Sequence, residues 1–396
     1  MHEQGLTPSN ESIEIISRLI GFDTTSSNSN LQLIEWVEKY LLTHGIRSRL
    51  TYDSDRRKAN LFATIGTADQ AGVILAGHTD TVPVMGQQWS TPPFDATLKA
   101  GRLYGRGSAD MKAFIGVCLA MVPEMVRTPP ARPIHLAFTF DEETTMLGAR
   151  TLVADLREQG LTPLACLIGE PTELKAIVGH KGRRAMRCCV RGKSAHSSIP
   201  MHGVNAIEYA ARIIAHLRSM GDRHQQHEER HYGYDVPYST MVTTLIEGGI
   251  STNTVPPECA FSFEFRHLPW TDPDRLEAEI RAFAQSQVKE EMAREADGCA
   301  ITFEIESTLP FFGAATAEEG LAPGASQLLA LLGRRDAPLG YMAFATEASW
   351  FQQAGIPTVV CGPGSIEQAH QPDEYIELAQ IAQCEQLLRN FIAANI

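Results

Sequence analysis

The sequence predicts an α/β protein: a mixed, largely parallel sheet flanked by helices, interrupted by an inserted α+β domain of ferredoxin-like order. Three observations carry this. Helix and strand signals alternate through the first third of the chain; the middle runs strand, helix, strand, strand, helix, strand; and α/β alternation then resumes. At 396 residues the chain is long enough for two domains. The pattern divides it into a discontinuous larger domain, 1–180 with 309–396, and an insertion at 181–308.

In the first third, Glu11–Ile20 and Leu31–His44 carry helical periodicity. In the second of these, Leu33, Ile34, Val37 and Leu41 form one apolar stripe and Gly45 supplies a stop. Leu61–Ile65 and Val73–Gly77 are short apolar runs of buried-strand type. Lys112–Met125 reads as a mostly apolar helix, Ile134–Phe140 and Leu164–Ile168 as further strands. In the middle, strands at Arg184–Val190, Ser239–Ile246, Cys259–Arg266 and Ile301–Glu306 are interleaved with helices at Asn205–Arg218 and Asp274–Val288. Ala325–Leu332, Thr358–Cys361 and Ile376–Ala394 return the chain to the larger domain. The histidine-rich stretch His224–His231 reads as a solvated loop.

Apolar residues make up 43% of the chain and charged residues 20%, ordinary proportions for a folded soluble protein. No apolar run approaches the roughly 18–20 residues of a membrane helix. The opening MHEQGLTPSNESIEII has neither the basic nor the apolar region of a secretory signal, so the expected location is cytoplasmic, away from membranes. A net charge of −13 argues against nucleic acid, whose phosphates call for a basic surface. The eight cysteines are scattered with no CxxC pair, which fits reduced, buried thiols better than a disulfide framework or a cysteine zinc site. Cys188 and Cys189, adjacent in a strand, should point to opposite faces.

Several apolar strands run directly into His, Asp or Glu. Val73–Gly77 leads to His78 in GHTDTVP, HLAFTF to Asp141, Glu142 and Glu143, ACLIG to Glu170, and TVVCG through a Gly/Pro loop to His370. Asp110, in GRGSADMK, stands just ahead of a helix. Carboxyl ends of strands in an open α/β sheet share one edge, where ligands bind. Two histidines and several carboxylates brought to that edge form a candidate site for zinc, cobalt or manganese, and the lack of a cysteine ligand fits catalysis better than structure. Each piece alone has a plainer meaning: HxD is commonly a hydrogen-bonded loop, and an Asp-Glu-Glu run a solvated strand end. Their joint occurrence after buried strands is what points to a metal.

In this order, HTD, SADMK, DEE, GEPT and QAHQPDE resemble the two-zinc aminoacylase and carboxypeptidase family, zinc peptidase family M20. The likeness runs from His78 to His370. The longer segments LYGRGSADMKAF, FDEETTMLGAR, GEPTELK, KSAHSSIPMHGVNAIE and VVCGPGSIEQAHQPDEY are most similar to its acetylornithine deacetylase branch. The resemblance implies two Zn2+ per subunit, with Co2+ or Mn2+ as substitutes. His78, Asp110 and Glu170 would hold one ion; Asp110, Glu143 and His370 would hold the other, with Asp110 bridging. It implies Asp80 behind His78, steadying the second ring nitrogen, and a cis peptide after Asp110. Glu142 is implied as general acid/base, taking a proton from the attacking water and giving one to the departing amine.

The insertion is implied to be a lid through which a homodimer forms, with His196 steadying the oxyanion from the partner subunit. Asn253, in STNTVP, is a further donor, and Gly179–Arg183 includes a hinge. Arg266 is read as a clamp for a substrate carboxylate, because guanidinium grips carboxylate through two bonds; its plainer reading is a surface salt bridge. The expected reaction is hydrolysis of a small N-acylated amino acid, N2-acetyl-L-ornithine first, within arginine biosynthesis. N-acetylcitrulline, N-succinyl-diaminopimelate or a dipeptide are sibling alternatives. A metal-binding scaffold without catalysis is the remoter one.

Overall fold

A computed structural model describes residues 6–67, 70–314 and 320–395; the first five residues of the opening read for a secretory signal lie outside them. The chain forms two compact units: Met1–Val178 with Leu321–Gly340 and Thr346–Ile396, and Gly179–Gly320 with Tyr341–Ala345.

The main sheet has eight strands, in the order Ser48–Tyr52, Ala59–Ile65, Ile134–Thr139, Val73–His78, Ala165–Pro171, Thr358–Gly362, Ile177–His180 and Gly340–Met342. The four central strands, from Ile134–Thr139 to Thr358–Gly362, run parallel to one another. Pairs flanking them are antiparallel, which makes the sheet mixed. Every residue of the four parallel strands is buried. That follows from helices on both faces, and it is why these strands read as unbroken apolar runs instead of alternating ones. Helices Asn10–Ile20, Leu31–Thr43, Ala113–Ala120, Pro323–Leu331 and Leu378–Ala394 share one core with alternate strand residues such as Val73, Leu75, Leu136 and Leu167. Helices Leu147–Glu158 and Ala348–Gln353 pack against each other and against other strands.

Local chemistry explains where elements begin and end. The apolar helix expected at Lys112–Met125 is two: Ala113–Ala120, then Val122–Arg127 with Pro123 in its first turn, a position that needs no N–H donor. The stretch Ile376–Ala394 opens as an edge strand, Tyr375–Glu377 paired with Arg102–Tyr104, before the helix Leu378–Ala394. Helix Leu147–Glu158 was not anticipated, because only Gly148, Ala149, Leu152 and Leu156 turn inward and the apolar stripe is thin.

The second unit holds a four-stranded antiparallel sheet in the order Thr240–Gly248, Glu258–His267, Gly182–Arg191, Ala300–Leu309. This is the ferredoxin-like arrangement the element order predicts, with helices Ala206–His227 and Pro273–Phe283 sharing its core. Cys188 is buried and Cys189 exposed, and all eight cysteines are free thiols. One expectation is corrected here. His224 and His227 end the helix Ala206–His227, where His224 pairs with Glu228 at 3.3 Å. His231 packs on Tyr234, Trp270 and Tyr341. Ion pairing and aromatic stacking order a segment whose polarity reads as a solvated loop. Among the described residues, no helix is long and apolar enough to cross a membrane.

Helix Ala113–Ala120 sits directly beneath the strand that carries Glu170, and Gly169 makes that approach possible: a Cβ there would lie 1.9 Å from Phe114 Cγ. Gly169→Ala should therefore lower stability by on the order of 1–3 kcal/mol through overpacking. Urea unfolding measures this, and an unchanged midpoint would contradict the packing described.

Candidate metal centre

The parallel strands deliver their carboxyl ends to one edge of the sheet. His78 closes Val73–His78, Asp141, Glu142 and Glu143 follow Ile134–Thr139, Glu170 lies in Ala165–Pro171, and the turn after Thr358–Gly362 leads to His370. Asp110 enters from a kinked segment, Ser108–Lys112, in which the Asp110–Met111 peptide is cis. His370 and Asp141 have φ of 65° and 58°, the left-handed region that ordinary residues occupy only when their surroundings fix them there.

His78 Nε2 lies 2.9 Å from Asp110 Oδ1 and 3.7 Å from Glu170 Oε1. Beyond the same carboxylate, His370 Nε2 lies 3.4 Å from Asp110 Oδ2 and 3.0 Å from Glu143 Oε2. Asp110 thereby offers one oxygen to each of two donor sets, His78–Asp110–Glu170 and Asp110–Glu143–His370, each with its donor atoms within 4.8 Å of one another. Glu170 Oε1 is buried with no hydrogen-bond partner, a deficit that a cation would relieve. Two imidazoles and three carboxylates suit a borderline divalent ion such as zinc, so the residues present fit the metal pair.

Titration follows from this crowding. Burial raises the carboxyls of Glu142, Glu143 and Glu170 above their ordinary range; the next cause is Glu170 for Glu142, and Asp110 for the other two. Against the pull of burial, hydrogen bonds from His370 and His78 hold Asp110 well below the ordinary range. His370 rises to about 10 through its bonds to Asp110 and Glu143. Positive charge is favoured at every position that faces these carboxylates.

Asp80 is fully enclosed, but its carboxylate is used differently from the expectation. His78 Nδ1 bonds the Asp80 main-chain carbonyl at 2.9 Å and stands 3.6 Å from the Asp80 carboxylate. That carboxylate accepts instead from the amides of Glu142 at 3.0 Å and Glu143 at 3.3 Å, and from Ser26 Oγ at 2.6 Å. Either contact orients the imidazole, and the carboxylate additionally fixes the backbone of the Glu142–Glu143 pair. Sequence reasoning missed Glu374 and Arg106. They form a fully buried ion pair at 2.7 Å, and Glu374 also accepts from the amides of Gly107, Ala109 and Asp110. Both lie within the segments GRGSADMK and QAHQPDE, but no spacing rule separates a residue that holds a loop from one that holds an ion.

His196, Asn253 and Arg266 belong to the second unit. His196 and Asn253 are neighbours there: His196 pairs with Thr254 in a short antiparallel bridge, and Ser197 N donates to the Asn253 carbonyl at 2.9 Å. Both are exposed. Arg266 lies apart from them, on Glu258–His267, donating from Nε to Glu264 and from Nη1 to the Ala343 carbonyl, each at 2.9 Å. The salt bridge is thus present.

Comparison with known proteins agrees with this geometry. Residues 74–394 match the family described as Peptidase family M20/M25/M40. An acetylornithine deacetylase of Pasteurella multocida (strain Pm70) is 36% identical over 392 residues, covering 96% of this chain and 97% of that protein. One from Proteus mirabilis (strain HI4320) is 35% identical over 381 residues, covering 94% and 93%. Among solved structures, aminopeptidase PepT from Bacillus cereus shares the fold with a TM-score of 0.75 at 20% identity, over 98% of this chain and 99% of that one. With the sheet, the convergent donor sets and two near full-length relatives in agreement, the chain belongs to peptidase family M20/M25/M40 and is a metallohydrolase similar to the acetylornithine deacetylases.

Proposed function

We propose that this protein uses two divalent ions, zinc in the first instance, to hydrolyse the amide of N2-acetyl-L-ornithine, releasing ornithine and acetate. One observation carries the reading. Asp110 is shared between two donor sets, and Glu142, which belongs to neither set, is fixed next to the donor Glu143 by the Asp80 carboxylate that accepts from both of their amides. His78, Asp110 and Glu170 would hold one ion, and Asp110, Glu143 and His370 the other. Ions bound there supply Lewis-acid polarisation of the amide carbonyl and a water of lowered pKa.

Glu142 accepts the proton of the attacking water and passes one to the departing amine nitrogen. Burial, and after it Glu170, raises this carboxyl above its ordinary range, the direction that favours a group able to take up a proton and return it. Asp80 fixes the main chain on which Glu142 rides. In the second unit, His196 Nδ1 accepts from Ser198 N at 3.2 Å, so a neutral imidazole carries its proton on Nε2 and can donate to an oxyanion. We place that donation in a homodimer formed through this unit, with Asn253 beside His196 as a second donor. Arg266 would grip the substrate carboxylate with the donors that Glu264 and Ala343 leave, and the enzyme would work in the cytoplasm on arginine biosynthesis. The choice of N-acetylornithine rests on the identity to the two deacetylases.

Acetate release from N-acetylornithine, compared with N-acetylcitrulline, N-succinyl-diaminopimelate and a dipeptide, tests the substrate. The expected order puts N-acetylornithine first by kcat/KM, and a preferred sibling would displace it. Glu142→Gln should retain both ions while kcat falls roughly 10²–10⁴-fold; hydrolysis at the parent rate would remove Glu142 from the mechanism. Mixing inactive His196→Ala with inactive Glu142→Gln subunits should restore part of the activity, because one site in the hybrid dimer receives both residues. No recovery would place His196 in its own subunit's site.

A further inference from the structure

The ligand loops of Asp110 and His370 are far apart in sequence, yet one hydrogen-bond network, buried at Arg106 and Glu374, joins them. Glu374, 1% exposed, takes four donors: Arg106 Nη1 at 2.7 Å and Gly107 N at 3.0 Å on Oε2, Ala109 N at 2.9 Å and Asp110 N at 3.1 Å on Oε1. Arg106, also 1% exposed, reaches back to the other loop. Its Nη1 donates to the Gln371 carbonyl at 3.3 Å, and its Nη2 to Gln87 Oε1 at 2.6 Å. Gln87 Nε2 then donates to the carbonyl of His370 itself at 2.8 Å. The Arg106 guanidinium lies over the Trp89 ring, 5.0 Å from its centroid, and Trp89 Nε1 donates to Gln87 Oε1 at 3.1 Å.

We propose that Glu374 and Gln87 are positioning residues that lock the His370 loop to the Asp110 loop, so that the donor set Asp110–Glu143–His370 is assembled before an ion arrives. The logic is electrostatic and steric. Bringing His370 to Asp110 requires a left-handed backbone at His370, a conformation that an ordinary residue keeps only where its surroundings fix it. A buried carboxylate accepting four N–H groups, one of them charged, supplies the constraint without touching the ion. The set His78–Asp110–Glu170 depends on it less, because His78 and Glu170 sit on strands of the sheet. The network therefore discriminates between the two sites: its loss should weaken the ion held by His370 more than the other. This inference rests on the two-metal reading above.

Calorimetric titration of Zn2+ into chelator-stripped full-length protein tests it, with His370→Ala marking which transition belongs to that donor set. Gln87→Met removes the bond to the His370 carbonyl from a half-buried position and should fold normally. Glu374→Gln keeps the shape but turns two acceptor positions into donors facing N–H groups. In both variants the affinity at the His370 set should fall about 10–100-fold, the range typical for residues that orient metal ligands, while the other site changes less than about threefold. Glu377→Gln, which breaks only the more exposed Arg102–Glu377 pair nearby, should bind as the parent does. Two wild-type affinities in both Gln87→Met and Glu374→Gln would overturn the proposal alone. So would an equal loss at both sites that merely tracks a lower melting temperature. Fewer than two ions in the parent protein would overturn the two-metal reading, and this proposal with it.

Discussion

Asp110, Glu142, Glu143 and Glu170 are crowded at one edge of a sheet whose parallel strands are buried on both faces, and carboxylates taken out of water in that way repel one another. Burial and mutual repulsion raise three of the four carboxyls, and the one held low, Asp110, is the one placed between two imidazoles. Positive charge is what such a cluster lacks. The rest of the structure can be understood as the means of holding these groups together: parallel strands that end at one place, a kinked loop for Asp110, and a left-handed turn for His370.

The fold serves this by dividing the labour. Residues that must not move, His78 and Glu170, are part of strands packed between helices, where every neighbouring side chain is buried. Of the residues that arrive from loops, Asp110 and Glu143 donate their main-chain N–H groups to carboxylates outside the donor sets, and the His370 carbonyl accepts from Gln87. Asp80 grips the amides of Glu142 and Glu143, and Glu374 those of Gly107, Ala109 and Asp110. Each loop is thus fixed through its backbone, which leaves the side chain free to point at the centre.

The legible part of the sequence was the part with periodicity or punctuation. The parallel strands were visible because burial on both faces writes an unbroken apolar run, and the edge they share could be located because His, Asp or Glu follows each run. The ferredoxin-like unit was visible from element order alone. Less legible were features set by tertiary contact. Helix Leu147–Glu158 turns few apolar residues inward. The helix through His224 and His227 continues past its apolar stripe on polar residues. Glu374 and Arg106 look like any surface pair in a motif of charged residues, although both are among the most enclosed side chains of the protein. A sequence states which side chains are charged; it does not state which amide a carboxylate will find.

The central claim is that the Asp110 carboxylate lies between two cations. Anomalous diffraction from crystals grown with Zn2+, recorded on both sides of the zinc absorption edge, tests it directly. The account predicts two peaks about 3.5–4 Å apart, one on each side of Asp110, with His78 and His370 on opposite members of the pair. A single peak, or two that do not share Asp110, would contradict it.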